Sequence, residues 1–212
     1  MKYEYSDSDP AWYPNADQMW GETDGTPPGA PSNLPGALYH MDEGGGGTIH
    51  DASGHNNIGT IDGATYTANS RHGAQALSFD GVNDKVMLPS STVNGLNDFT
   101  FMCWIKTTDN SYGILQGKKG SDVTAFSIYY SGTTLTMCIG SGGHGKTLSG
   151  LNNGVWRHFA YTRSGGTLTL YIDGERSAGW GGTSGAVSVD SDQLWLGTAW
   201  YGNYPLNGSL DE

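Results

Sequence analysis

The chain has 212 residues, a formal net charge of −11 and only 15% charged residues, with 34 glycines, 12 tyrosines and 7 tryptophans. Few Lys and Glu beside many Gly, Thr and aromatics suit strands and turns rather than helices. The acidic balance argues against binding a nucleic-acid backbone and suits neutral ligands such as glycans, or divalent cations. No stretch has the length and apolarity of a membrane span.

Residues 1–36 differ from the rest. They hold six of the eight prolines, several aspartates, and Trp12, Tyr13 and Trp20. TPPGAPSNLPG has linker composition, and no helical period survives there. Two readings stand for this extended arm: a solvated lead and linker, or a segment whose aromatics dock on other protein subunits. The start, MKYEYSDSDPAWYPN, lacks the apolar run of a signal peptide. If Met1 is the native start, simple export is not expected.

From Ala37 to Glu212 short strand patterns alternate with turn signals. ALYHM comes first, then QALSFD and KVMLP. In FTFMCWIKT, Phe99, Phe101, Cys103 and Ile105 alternate with Thr100, Met102, Trp104 and Lys106. YGILQG, AFSIYY, TLTMCIG, VWRHFAYTR, TLTLYIDG and QLWLGT follow, separated by SGTT, SGG, NNG and DGE. Asp80-Gly81 and Asp173-Gly174 read as tight turns. About ten strands at this spacing predict an all-β, two-sheet antiparallel jelly-roll sandwich with almost no helix. Cys103 and Cys138 sit in apolar runs, which leaves buried thiols and a cross-strand disulfide both open.

The blocks MDEGGGGTIHDASGHNNIGTIDG, GAQALSFDGVNDKVMLP, FTFMCWIKT, GVWRHFAYTRSGGTLTLYIDGE, QLWLGT and LNGSLDE occur in this order. In that order they resemble the laminin-G-like jelly-roll domains of the concanavalin A-like lectin/glucanase superfamily, over residues 37–212. The resemblance implies a fold and leaves function to the site. It also implies a further apolar strand after the final Asp-Glu. The stop at Asp211-Glu212 is therefore expected to leave a sheet edge and a piece of core uncovered, and three readings stand: the sequence is a piece of a longer one, which is favoured slightly, another chain supplies the strand, or the arm covers the gap.

Enzymes with this sandwich imply alternating Glu-x-Asp-x-Glu runs, or a lyase set of Arg, Gln-x-His and Tyr-x-Lys-x-Gly. Neither occurs here, and the acids fall mostly at turns: Asp62, Asp80, Asp84, Asp98, Asp109 and Asp173. The six histidines show no zinc spacing; His50 and His55 are five apart in a glycine-rich loop without thiols. No catalytic residue is assigned.

HDASGHNN is rich in oxygen donors. The resemblance implies a structural calcium there, held by Asp51 and Asn56 with Asp211, or Glu212 in its place. The other reading is a turn in which Asp51 caps its own loop. For ligand binding, GWGGTSG and TAWYGNYPLNG supply aromatics in glycine-rich loops: Trp180, Trp200, Tyr201 and Tyr204, with Asn203 for hydrogen bonds. The alternative is that these rings fold back onto the sandwich.

The expected function is non-catalytic binding or display. The leading form is a phage virion structural or adhesion component of decoration, head-fibre or tail-fibre type, binding surface glycans. The alternative is a carbohydrate-binding module of a larger secreted polysaccharide-degrading or cell-surface protein. The expected partners are glycans, other subunits through residues 1–36 and a second copy of the chain, without nucleic acid or membrane insertion. The expected location is a virion surface or the extracellular space.

Overall fold

The computed structural model describes residues 36–140, 142–199 and 202–212. The arm expected over residues 1–36 therefore lies outside the described residues, apart from Gly36. The strands are β1 (Thr48–Ile49), β2 (Gly59–Asp62), β3 (Thr65–Thr67), β4 (Ala76–Asp80), β5 (Lys85–Leu88), β6 (Phe99–Thr107), β7 (Ser111–Lys119), β8 (Asp122–Ser131), β9 (Thr134–Ile139), β10 (Gly142–Thr147), β11 (Arg157–Ser164), β12 (Thr167–Ile172), β13 (Glu175–Trp180), β14 (Leu194–Leu196) and β15 (Asn207–Asp211). Among the described residues one 3-10 turn, Ser90–Thr92, interrupts them.

Eight strands form one sheet in the order β1-β2-β5-β14-β7-β8-β9-β10, and seven form the other in the order β13-β12-β11-β6-β15-β4-β3. The pairings are antiparallel. The alternation in β6 works as the sequence predicts: Cys103 and Ile105 are 5% and 1% exposed, while Met102 between them is 53% exposed. Phe79, Phe126, Phe159, Tyr112, Tyr130 and Tyr161 fill the space between the sheets. Each such ring contributes on the order of 1.5–3 kcal/mol by leaving water. Between β12 and β13, Asp173 and Gly174 take φ of 49° and 82°, the two left-handed positions of a tight hairpin turn. The Asp173 carboxylate accepts the His158 N–H (2.9 Å) and Arg157 Nε–H (2.6 Å), fixing the turn to β11.

Several expectations are corrected. The described residues hold fifteen strands rather than about ten. ALYHM is not a strand, although Tyr39 and Met41 do enter the core. Side-chain acceptors replace ladder bonds there, as when Leu38 N–H donates to Asp51. Of the two cysteine readings, that of buried free thiols holds: Cys103 lies in β6 and Cys138 in β9, in different sheets. The closing acidic residue is not at a loose end, because β15 runs between β4 and β6 and Asp211 is fully buried. The β15 ladder reaches Trp104, and among the described residues Phe99–Cys103 pair along β11 only.

Candidate functional site

The segment that follows β14 is placed by two glycines. Gly197 has φ 82°, and a Cβ on it would meet the Phe79 ring at 2.2 Å, so only glycine turns the chain there. Gly197 N–H donates to Ile114 O (3.0 Å) and Leu206 N–H donates back to Gly197 O (2.9 Å), which closes the base of the loop. Gly113 N–H donates to Tyr204 O (2.8 Å). A Cβ on Gly113 would lie 2.2 Å from the Ala199 nitrogen, so the loop backbone rests directly on β7.

This loop lies on the outer side of the eight-stranded sheet. Leu135 and Met137 of β9 and Phe126, Ile128 and Tyr130 of β8 belong to the core. The residues alternating with them, Ser127, Tyr129, Thr136 and Cys138, therefore face outward. The ladders align Trp195, Gln116, Ser127 and Cys138 in one row across β14, β7, β8 and β9. Gln116 and Ser127 are fully buried despite facing outward. Tyr129 stands two residues along β8 from Ser127, and the Tyr204 ring sits 6.2 Å from it, tilted by 35°. Trp195 is half-buried, donates Nε1–H to Asp192 O (2.9 Å) and has Lys85 Nζ 5.8 Å from its ring centre. Burial pushes the Tyr129 hydroxyl and the Cys138 thiol above their ordinary values. Gln116 and Ser127 are closed off from solvent, so the accessible set is the half-buried Tyr129, Tyr204 and Trp195 edges with the Thr136 hydroxyl, held on a rigid sheet. Such a set can stack on a sugar face and bond its hydroxyls.

Of the residues predicted from sequence, Tyr204 and the exposed Asn203 fall in this loop. Trp200 and Tyr201 lie outside the described residues. Trp180 is corrected: it ends β13 rather than lying in a loop. Its ring is 6.4 Å from Tyr161 and 5.9 Å from His144, half-buried at the margin of the core. It belongs to the other sheet and is not part of the Tyr204 site. Tyr129, Gly113, Gln116 and Trp195 were not predicted. A glycine inside the apolar run YGILQG is the signal that another backbone approaches closely.

Asp51, Asp211 and Glu212, among the expected calcium donors, already accept hydrogen bonds or pair with His40. Asp51 Oδ1 accepts the N–H groups of Leu38 (3.0 Å) and Ser53 (2.9 Å), and Oδ2 accepts that of Asn57 (2.9 Å). Burial pushes this carboxyl up, but the bonds from Ser53, Asn57 and Leu38 outweigh it and hold it below the usual range. Asn56 is exposed with φ 59°. Asp211 Oδ2 accepts the N–H groups of Arg71 (2.6 Å) and His72 (2.8 Å), and burial raises its carboxyl above the usual range. Glu212 pairs with His40 Nδ1 at 2.9 Å. Backbone N–H groups bond both oxygens of Asp51 but only Oδ2 of Asp211, whose Oδ1 is buried without a hydrogen-bond partner, and among the described residues no three acidic, His or Cys side chains converge on a cation position. This donor set does not fit calcium, which needs six to eight oxygens. The capping reading of Asp51 accounts for all three bonds.

Other acids are similarly used. Asp42 Oδ1 accepts two N–H groups, from Ala74 and Gln75 (2.8 Å each). Asp84 accepts the Asp80 N–H (2.9 Å), and Asp62 pairs with Lys85 (2.5 Å). Among the described residues, no helix is long and apolar enough to cross a membrane.

A family model for the concanavalin A-like lectin/glucanases superfamily matches residues 80–212. The chain belongs to that superfamily. No curated protein matches this concanavalin A-like chain in sequence. Among solved structures, it is similar to domain 4 of AbnA, an extracellular GH43 arabinanase from Geobacillus stearothermophilus, solved in complex with arabinotriose. That match has 21% identity and a TM-score of 0.60 over 82% of this chain and 88% of that one. It is also similar to the Trypanosoma rangeli sialidase in complex with sialic acid, at 15% identity and a TM-score of 0.60, covering 82% of this chain and 29% of that one. The binding domain of botulinum neurotoxin serotype D matches at 12% identity and a TM-score of 0.62, over 84% of this chain and 45% of that one. The chain thus spans well under two thirds of the sialidase and toxin chains and most of the arabinanase domain. At these identities the likeness is one of fold.

Proposed function

We propose that this concanavalin A-like domain is a non-catalytic glycan-binding module used for adhesion or display. The observation that carries the reading is the segment at 202–206, stapled through Gly113 so that Tyr204, next to the exposed Asn203, stands beside Tyr129 on the outer side of the eight-stranded sheet. Trp195 extends the aromatic edge. Support for non-catalysis comes from the carboxylates, which hold backbone N–H groups in turns instead of flanking a cleft.

The setting we propose is the surface of a virion, as a decoration or fibre component. A second setting, a module of a larger polysaccharide-degrading or cell-surface protein, is favoured by the near-complete overlap with one domain of an extracellular arabinanase. Attachment of the full chain to capsids or fibres separates the two. The shared claim is tested by titrating arabinotriose and a glycan array with the wild type and Tyr204→Ala. The variant is expected to bind at least about tenfold more weakly, a loss of about 1.4 kcal/mol, with an unchanged melting temperature. Equal binding by both proteins overturns the site.

A further inference from the structure

Three stretches of the chain carry no Asp, Glu, Lys or Arg: residues 110–117, 123–143 and 193–210. The chain as a whole has 10 Lys and Arg against 21 Asp and Glu. The fold brings these stretches together, because they supply most of β7 and β8, all of β9 and β14, and the loop that carries Tyr204. One row crosses the outer side of the eight-stranded sheet from Gly113, on which that loop rests, through Tyr129 and Thr136 to Gly145. Beside it runs a second row of Ser131, Thr134 and Thr147.

β10 does hold two ionisable residues, His144 and Lys146. They stand opposite Met137 and Leu135, which are core residues, so alternation turns both to the inner side. The His144 ring accordingly lies 5.9 Å from Trp180 of the other sheet. Charges border the face at its Trp195 end. Lys85 Nζ is 5.8 Å from the Trp195 ring centre but pairs with Asp62 at 2.5 Å. Lys118 follows Gln116 by two residues on β7. At the Tyr204 end the charge that precedes β7 is an acid, Asp109.

We infer that this site, on the glycan-binding reading it rests on, takes uncharged sugars and rejects those that carry a carboxylate or a sulfate. A sugar hydroxyl seated over the Tyr204 and Tyr129 rings meets Thr136 and Asn203, which both donate and accept hydrogen bonds. A carboxylate in the same place loses water against two aromatic rings and meets no cation among the described residues. Burying a charge without a partner costs far more than burying a hydrogen-bonded hydroxyl. The selectivity is local. The net charge of −11 acts through solvent and is screened by salt, whereas the cost of stripping water from an unpaired anion is not.

The test uses the full chain on an array of neutral, uronate-, sialate- and sulfate-bearing oligosaccharides. Calorimetry follows with the tightest neutral ligand, before and after oxidation of its primary hydroxyls to carboxylates. The expected result is binding confined to neutral members, and a loss of at least about tenfold on oxidation. The loss is expected to persist in about 1 M salt, where charges act over about 3 Å. Thr136→Lys places an ammonium beside Tyr129 and is expected to recover the oxidised ligand at least about tenfold, at unchanged melting temperature. The oxidation and salt arms use the wild type and stand without this variant. Acidic sugars bound as tightly as neutral ones, with both weakened by Tyr204→Ala, overturn the inference and leave the site standing. So does selectivity that vanishes in high salt, or a folded Thr136→Lys that recovers nothing. No binding to any member overturns the glycan reading and the inference together.

Discussion

Replacing Asp51 by Ala removes one carboxylate that accepts three backbone N–H groups. Those groups belong to Leu38, Ser53 and Asn57, so the bonds tie the segment entering the sandwich to the loop after β1. The same junction holds Tyr39 O–H donating to Asn57 O (2.6 Å) and Asn57 Nδ2–H donating to Gly36 O (2.8 Å). Tyr39 and Met41 reach the core only from this anchored segment. A hydrogen bond to a charged group contributes about 1.5–3 kcal/mol. Three that share one partly exposed acceptor do not add fully, which gives a loss of about 3–4 kcal/mol. At about 2–4 °C per kcal/mol for a domain of this size, the melting temperature falls by about 6–16 °C. Asp51→Asn keeps the Oδ1 acceptor but turns an amide N–H toward Asn57 N–H, and is expected to lose about half as much. The pH dependence follows from the lowered carboxyl. Its stabilisation is complete above the unfolded value near 4 and is lost as pH falls through the lower folded value. Urea melts of wild type and Asp51→Ala should therefore differ fully at pH 7 and converge in acid. A melting temperature for Asp51→Ala within about 2 °C of wild type at pH 7 would refute the capping account.

Gly113→Ala is expected to lift the loop at 197–206, because the new Cβ would sit 2.2 Å from the Ala199 nitrogen. Glycan binding should fall with it, and exchange at the Gly113 amide, now bonded to Tyr204 O, should rise in amide-exchange measurements. Calcium and a chelator should each leave the melting temperature unchanged, since an ion bound only by the folded state would raise it by mass action.

The long strands were legible because their inward residues are large and alternate without interruption. FTFMCWIKT coincides with β6, and TLTLYI with β12. β10 and β13 were not legible: GGHGKT and ERSAGW offer few apolar side chains, and their pairing comes from the neighbouring strands. ALYHM shows the opposite error. Its apolar residues are buried, but Asp51 supplies the acceptor that a strand partner would have supplied. The residues around Tyr204 lie in a loop, as the glycine-rich TAWYGNYPLNG segment suggests. Tyr129 and Trp195 lay hidden in strands, since alternation alone does not tell which outward-facing aromatics a distant loop will approach. Trp180 was misplaced because its glycine-rich surroundings resemble a loop, yet Gly179 pairs with Thr169 in a regular ladder.

The most direct measurement is glycan binding by the full chain, with Tyr204→Ala and Asn203→Ala compared with wild type on one array and by titration calorimetry. Selective binding by the wild type, weakened at least about tenfold in both variants at unchanged thermal stability, is the predicted result. No binding to any glycan, or binding that neither substitution changes, would contradict the assignment of this face as the ligand site.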